Sequence, residues 1–230
     1  MAHPLDDAYL RVERASEHLK ELKTLHGEVC VAQAHAMTIK YQPNVVSQTL
    51  DQVPLAKLID VQTGITPIPP KCRLLIGDIA NDLRSALDYT VRQLAEHDSG
   101  KKITGTQFPI VGSPKAFKKR RKTYLRGVNT AHVAAIEKLQ PYKGCQWTEP
   151  LARMSNLDKH NELVTVTHDC LVTTEVSTES PADSEIVQAS VKVYLQPILR
   201  ITLGNLPVIE TLETIQSQVT KTLDAFEPEF

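Results

Sequence analysis

The residues best equipped for chemistry lie in the stretch Gly77-Asp78-Ile79-Ala80-Asn81-Asp82-Leu83-Arg84-Ser85-Ala86-Leu87-Asp88-Tyr89, where a polar series is threaded through an apolar helical pattern. At about 100° per residue, Ile76, Ile79, Leu83, Leu87, Thr90 and Leu94 share one face, and Gly77, Asn81, Arg84 and Asp88 run along its flank. Arg84 thus sits at the edge of the core, and the pattern points to a site. Arg84 and Asp88 also stand at i,i+4, where a surface ion pair contributes roughly a few tenths of a kcal/mol and needs no ligand.

A second polar cluster, Asn156-Leu157-Asp158-Lys159-His160-Asn161, brings a carboxylate, an ammonium and an imidazole within three positions. On a helix Asn156 and His160 share a face while Asp158 points elsewhere, so this segment alone makes no metal triad. The competing reading is a polar helix end, with Lys159 and His160 placed favourably at the negative end of the helix dipole. His168-Asp169 falls in a strand pattern and reads as a turn or surface feature, and His18 and His26 read as packing or surface histidines. No Gly-rich phosphate loop, Gly-x-Ser-x-Gly elbow or His-Glu-x-x-His helix is present.

The formal net charge of −1 conceals a polarised distribution. Between Asp98 and Glu137 there is no acid, while Lys101, Lys102, Lys115, Lys118, Lys119, Arg120, Arg121, Lys122 and Arg126 give that segment +9, leaving −10 for the rest. Such a run suits phosphates; it also suits a solvated helix face balanced by acidic neighbours. Phe117 and Tyr124 within it serve either to stack on bases or to anchor a short helix.

The elements that must position these groups follow from periodicity. Leu5, Ala8, Val12, Ala15, Leu19, Leu22, His26 and Val29 step by three and four, giving a long amphipathic helix over about 5–34. Alternation predicts a strand at 37–41 and a second at about 55–61, ending before a turn at Thr63-Gly64. Pro67, Pro69 and Pro70 mark an extended connection, and a new helix covers about 72–97. Residues 106–110 read as an extended segment docked on the bundle. Ser113-Pro114 supplies a cap and a first-turn proline for a helix carrying the basic run. Short helices follow at about 130–139 and 150–161, with Trp147 packed where they meet. Val-, Thr- and Ile-rich text at 163–176 and 185–203, joined by a turn at 180–183, predicts a β-hairpin or meander, with Pro197 at an edge or a break. A final helix covers about 208–226.

With 230 residues, 41% hydrophobic and 23% charged, the composition is that of an ordinary globular protein, read as one domain. No apolar run approaches the roughly 18 residues of a membrane span, and residues 1–7 lack the basic and apolar parts of a signal peptide, so a cytoplasmic protein without membrane contact is expected. Cys30, Cys72, Cys145 and Cys170 are scattered and read as reduced, mostly buried thiols rather than a zinc or disulfide framework. No cofactor and no metal are expected.

Four motifs occur in order: Asn81-Asp82-Leu83-Arg84-Ser85-Ala86-Leu87-Asp88-Tyr89, Thr106-Gln107-Phe108-Pro109-Ile110, Gln140-Pro141-Tyr142 and Asn156-Leu157-Asp158-Lys159-His160. Together they resemble the landmarks of a family of uncharacterised bacterial and phage proteins whose usual helix text is Asn-Leu-Arg-Ser-Ala-Leu-Asp-His. That family's Arg-x4-His spacing is similar in turn to the HEPN superfamily, which includes metal-independent ribonucleases of toxin–antitoxin and phage-defence systems. The resemblance implies a dimer in which Arg84 holds phosphate while an imidazole moves protons. This chain has Tyr89 at the His position, and a phenol titrating near pH 10 is a poor shuttle at neutral pH. His160 supplies the imidazole if the two helices face each other; otherwise Tyr89 donates a hydrogen bond in a binding-only site.

The expected architecture is therefore α+β, a HEPN-like helical bundle (about 5–34, 72–97, 114–161 and 208–226) with a small antiparallel β-sheet from 37–61 and 163–203. The expected function is nucleic-acid-directed, in a bacterial or phage conflict system. One form is an RNA-cleaving site of Arg84, Asp88, Tyr89 and His160, flanked by Asn81, Asn156, Asp158 and Lys159. Lys115, Lys118, Lys119, Arg120, Arg121, Lys122 and Arg126 would bind the nucleic acid, and a homodimer fits. The alternative is a non-catalytic binding or protein-interaction module in which the Arg/Asp/His groups are structural. A metal-dependent hydrolase using Asp88, Asp158 and His160 is a third reading.

Overall fold

The structure, a computed structural model, describes residues 3–41, 59–63, 66–159, 166–179, 188–201 and 205–230. The first helix, α1 (Asp6–Ala36), starts where the Asp6 carboxylate accepts the His3 N–H at 2.7 Å and where Asp6 and Asp7 sit at the positive end of the helix dipole. Its expected stripe, Leu5, Ala8, Val12, Ala15, Leu19, Leu22 and Val29, is buried, whereas His26 is only partly so. α1 runs directly into β1 (Met37–Tyr41), which pairs antiparallel with β2 (Ile59–Thr63), Met37 opposite Thr63 and Tyr41 opposite Ile59. Thr63, expected in a turn, is thus the last rung of this ladder. Residues 42–58 lie outside the described residues, as does Gly64.

The second long helix, α2 (Pro70–Ser99), starts two residues before the expected point because Pro69 and Pro70 form its N-terminus. It ends on Gly100, whose left-handed φ of 62° no β-carbon obstructs. Its buried residues, from Cys72 to Ala95, occupy far more than a single stripe, as befits a helix packed against α1 and also against two later helices.

Three shorter helices follow: α3 (Pro114–Tyr124), α4 (Thr130–Lys138) and, after a 3-10 turn at Pro141–Lys143, α5 (Thr148–Lys159). The chain then forms a hairpin of β3 (Val166–Glu179) and β4 (Gln188–Ile201), with Val166 opposite Ile201 and Glu179 opposite Gln188. The expected connecting turn at 180–183 lies outside the described residues. A two-residue strand, β5 (Leu206–Pro207), reaches only Arg200 and Ile201 of β4. Pro197, opposite Cys170, therefore lies where β4 has β3 on one side and, among the described residues, no strand on the other, so its missing N–H interrupts no central ladder. The last helix, α6 (Val208–Phe226), has the expected bounds and buries Val208, Leu212, Ile215, Val219 and Leu223 against α1 and α2.

The architecture is α+β and mostly helical, but its strands form two separate antiparallel sheets rather than one: β1–β2, and β3–β4–β5. Each sheet pairs strands consecutive in the chain, the arrangement with the lowest loop-closure cost. The helices share one apolar core centred on Ile76, Ile79, Leu83 and Leu87 of α2, all fully buried, and Leu199 of the hairpin joins it.

Candidate functional site

The polar flank of α2 meets the extended strap 104–111. Arg84 and Asp88, one helical turn apart, grip a single residue of that strap: the Arg84 guanidinium donates to the Phe108 carbonyl, and Asp88 Oδ1 accepts the Phe108 N–H at 2.7 Å. Arg84 Nε lies 3.6 Å from the same Asp88 oxygen, so the pair is one unit. The Phe108 ring itself is buried.

The strap is held from its other side as well. Gln140, fully buried, donates from Nε2 to the carbonyls of Pro109 (2.8 Å) and Ile136 (3.1 Å), and its Oε1 accepts the Val111 N–H at 3.1 Å. Gln107 N–H donates to the Tyr124 carbonyl at 3.2 Å, and Arg126 donates to the Thr104 carbonyl at 2.9 Å. A segment with no sheet partner thereby satisfies its backbone through side chains from two sides. Three of the four ordered sequence motifs meet here as a single clamp.

The clamp leads directly into α3. Ser113 caps the helix by accepting the Ala116 N–H at 3.3 Å, with Pro114 at the first helical position. Phe117, 2% exposed, packs edge-on to Tyr142 with ring centroids 6.5 Å apart. Tyr142 is fixed in turn by its hydroxyl, which donates to Glu137 at 2.8 Å; burial and then this bond push its phenol up to about 12. Phe117 thus anchors the helix. Tyr124 is engaged by Arg120, which donates to its hydroxyl at 2.7 Å and stacks over its ring at 5.1 Å.

All seven of Lys115, Lys118, Lys119, Arg120, Arg121, Lys122 and Arg126 are exposed. Among the described residues no acid pairs with any of them. Taking about 100° per residue, Lys115, Lys118, Lys119 and Lys122 form a crest about 100° wide on the side away from Phe117, with Lys118 and Lys119 at its two edges, whereas Arg121 and Arg120 flank Phe117 at about 40° and about 60°.

Tyr89 faces another neighbour. A five-residue step turns a helix through about 140°, so Arg84 and Tyr89 address different surroundings. The Tyr89 hydroxyl accepts from Arg11 of α1 at 3.3 Å, with the guanidinium also 5.6 Å from the ring centre. Arg11 bonds Asp82 at 2.9 Å, and Arg14 Nε and His18 Nδ1 approach the same buried carboxylate at 3.4 and 3.8 Å. Hydrogen bonds to Tyr89 and Asp82 hold the Arg11 proton still more firmly than usual. Sequence reasoning passed over Asp82; its signal was an acid set between Ile79 and Leu83, the only charge on the buried side of α2's central turns.

A second unanticipated network closes the other end of α2. Asp98 Oδ2 accepts the Asn129 N–H at 2.8 Å and lies 2.8 Å from His132 Nδ1, while His132 Nε2 is 3.3 Å from Glu229. Burial pushes the Asp98 carboxyl up, but the bonds from Asn129 and His132 outweigh it and hold it below the ordinary carboxylate value. Its local sequence signal was Asn129-x-x-His132, an N-cap spacing in which Asn129 also accepts the His132 N–H at 2.8 Å.

The remaining expected site residues divide as follows. Asn81 is half-buried on α2, and Asn156 is exposed on α5, which packs against α2. Asp158 and Lys159 end α5, and their side chains, like the whole of His160, lie outside the described residues. Among the described residues no group of three or more His, Cys, Asp or Glu is arranged to hold a metal, and no helix is long and apolar enough to cross a membrane. Burial raises the thiols of Cys30, Cys72 and Cys145. Compared with known protein families, curated proteins and solved structures, the chain has no significant match.

Proposed function

We propose that the protein is a nucleic-acid-binding module in which α3 is the docking helix and the Arg84–Asp88–Gln140 clamp is its mount. One observation carries this reading: six cations lie on a helix of eleven residues with no acidic partner among the described residues. A solvated face that merely balanced acidic neighbours would show those neighbours, and none is present in that set. Unpaired, exposed cations release counterions when they meet phosphates, which is the main driving term of sequence-independent binding.

Binding rather than cleavage is favoured by the two residues the ribonuclease reading needs most. The Arg84 guanidinium donates to the Phe108 carbonyl and lies against Asp88, and Tyr89 is turned to Arg11. The HEPN-like relationship is retained as part of the proposal for the helical portion; its support is the pair of long helices α1 and α2 packed together, with α5 and α6 against α2.

The test is replacement of Lys118, Lys119, Arg120 and Arg121 by Glu. Binding to a mixed pool of labelled nucleic acids at low salt is expected to vanish while the melting temperature changes little, because these side chains are solvent-exposed. Undiminished binding would return α3 to a solvated surface.

A further inference from the structure

On the strength of that nucleic-acid reading, we infer that the ligand of α3 is double-helical DNA, with the helix lying in the major groove, rather than RNA or a single strand.

Three observations lead there. The first concerns aromatic rings. Proteins that bind single strands stack bases on exposed aromatic side chains. Around α3 every such ring is already used: Phe117 is buried on Tyr142, Tyr124 lies under Arg120, and Tyr142 is tied to Glu137 with Lys143 5.7 Å from its ring centre. No stacking platform accompanies the positive charge.

The second is shape. Residues 118–123 are exposed without interruption, more than a full helical turn, and only Phe117 of α3 is buried. The helix therefore stands out from the body as a ridge. An eleven-residue helix is about 16 Å long and about 10–12 Å across with its side chains. The major groove of B-form DNA, about 12 Å wide, admits such a ridge; the deep, narrow major groove of an A-form RNA duplex does not.

The third is where the charges sit on that ridge. The crest of Lys115, Lys118, Lys119 and Lys122 points away from the body, with Lys118 at one edge and Lys119 at the other, while Arg120 and Arg121 lie nearer the body on either side of Phe117. A helix entering a groove meets one phosphate rail on each side, and this distribution offers cations to both. Arg126, fixed to Thr104 just beyond the helix, adds a further positive group at its C-terminal end.

The experiment measures fluorescence anisotropy of the full chain with one sequence prepared as DNA duplex, RNA duplex, single-stranded DNA and single-stranded RNA, between 50 and 200 mM salt. The DNA duplex is expected to bind at least about tenfold more tightly than the other three. Its log–log salt slope is expected near −5, from six cations at about 0.9 each. The double substitution Lys118→Gln, Lys122→Gln should make the slope shallower by about 2 units. A major-groove dye should compete and a minor-groove ligand should not. Equal or tighter binding of either RNA form or of single-stranded DNA overturns the duplex inference while leaving nucleic-acid binding in place. Failure to bind any of the four at 50 mM salt overturns both.

Discussion

Replacing Gln140 with leucine removes one side chain that makes three hydrogen bonds from a fully buried position. Leucine fills nearly the same space, so packing changes little. The Ile136 carbonyl keeps a bond from the Leu139 N–H at 3.2 Å, but the Pro109 carbonyl and the Val111 N–H lose the partners that Gln140 supplies. An unsatisfied buried polar group costs about 1–3 kcal/mol. Pro109 is buried and takes about 2 of this, whereas Val111 is half-buried, admits water and takes about 1, giving a total of about 3 kcal/mol. At this chain length that corresponds to a melting temperature lower by roughly 6–12 °C, and to a urea midpoint lower by about 1 M with an unchanged slope. Gln140→Glu keeps an acceptor for Val111 but buries a carboxylate against the Pro109 and Ile136 carbonyls, so it should lose at least as much. Because Asp88 holds Phe108 in the same strap, Asp88→Ala combined with Gln140→Leu should depart from additivity by at least about 0.5 kcal/mol. Amide exchange at Phe108 and Val111 should accelerate in either single variant. A stability loss below about 0.5 kcal/mol with unchanged exchange at Val111 would refute the clamp.

Two further outcomes follow from other parts of the fold. Asp98 titrates below its unfolded value, so its contribution is present above about pH 4 and is lost as the pH falls through the lower folded value; Asp98→Asn should flatten the acid limb of the urea midpoint below about pH 4, and an unaltered limb would discount the Asn129–His132 network. Gly127, at φ +83°, would bring a β-carbon within 3.1 Å of both the Ala95 carbonyl oxygen and an Ile103 side-chain carbon, so Gly127→Ala should cost about 1–3 kcal/mol in thermal melts; a neutral result would mean that the turn after α3 relaxes freely.

What could be read along the chain was what neighbouring residues decide. The apolar steps of α1, α2 and α6 placed those helices to within a few residues, because burial of one face repeats at the helical period. Ser113-Pro114 marked the start of α3, and the nine-cation segment announced an exposed basic ridge, since unpaired charge has nowhere to go but solvent. The polar flank of α2 was equally visible, yet its meaning was not. Whether Arg84 and Asp88 pair on a surface, hold a ligand or grip backbone depends on what stands opposite, and that is Phe108, twenty residues beyond Asp88. Tyr89 and Arg11 are separated by 78 residues, and between His132 and Glu229 the chain runs through α5, the β3–β4–β5 sheet and α6. Local spacing carries no record of such partners. Only tertiary packing, by burying polar groups that must then find mates, turned a stripe of chemistry-bearing residues into the clamp that holds a strap and presents α3.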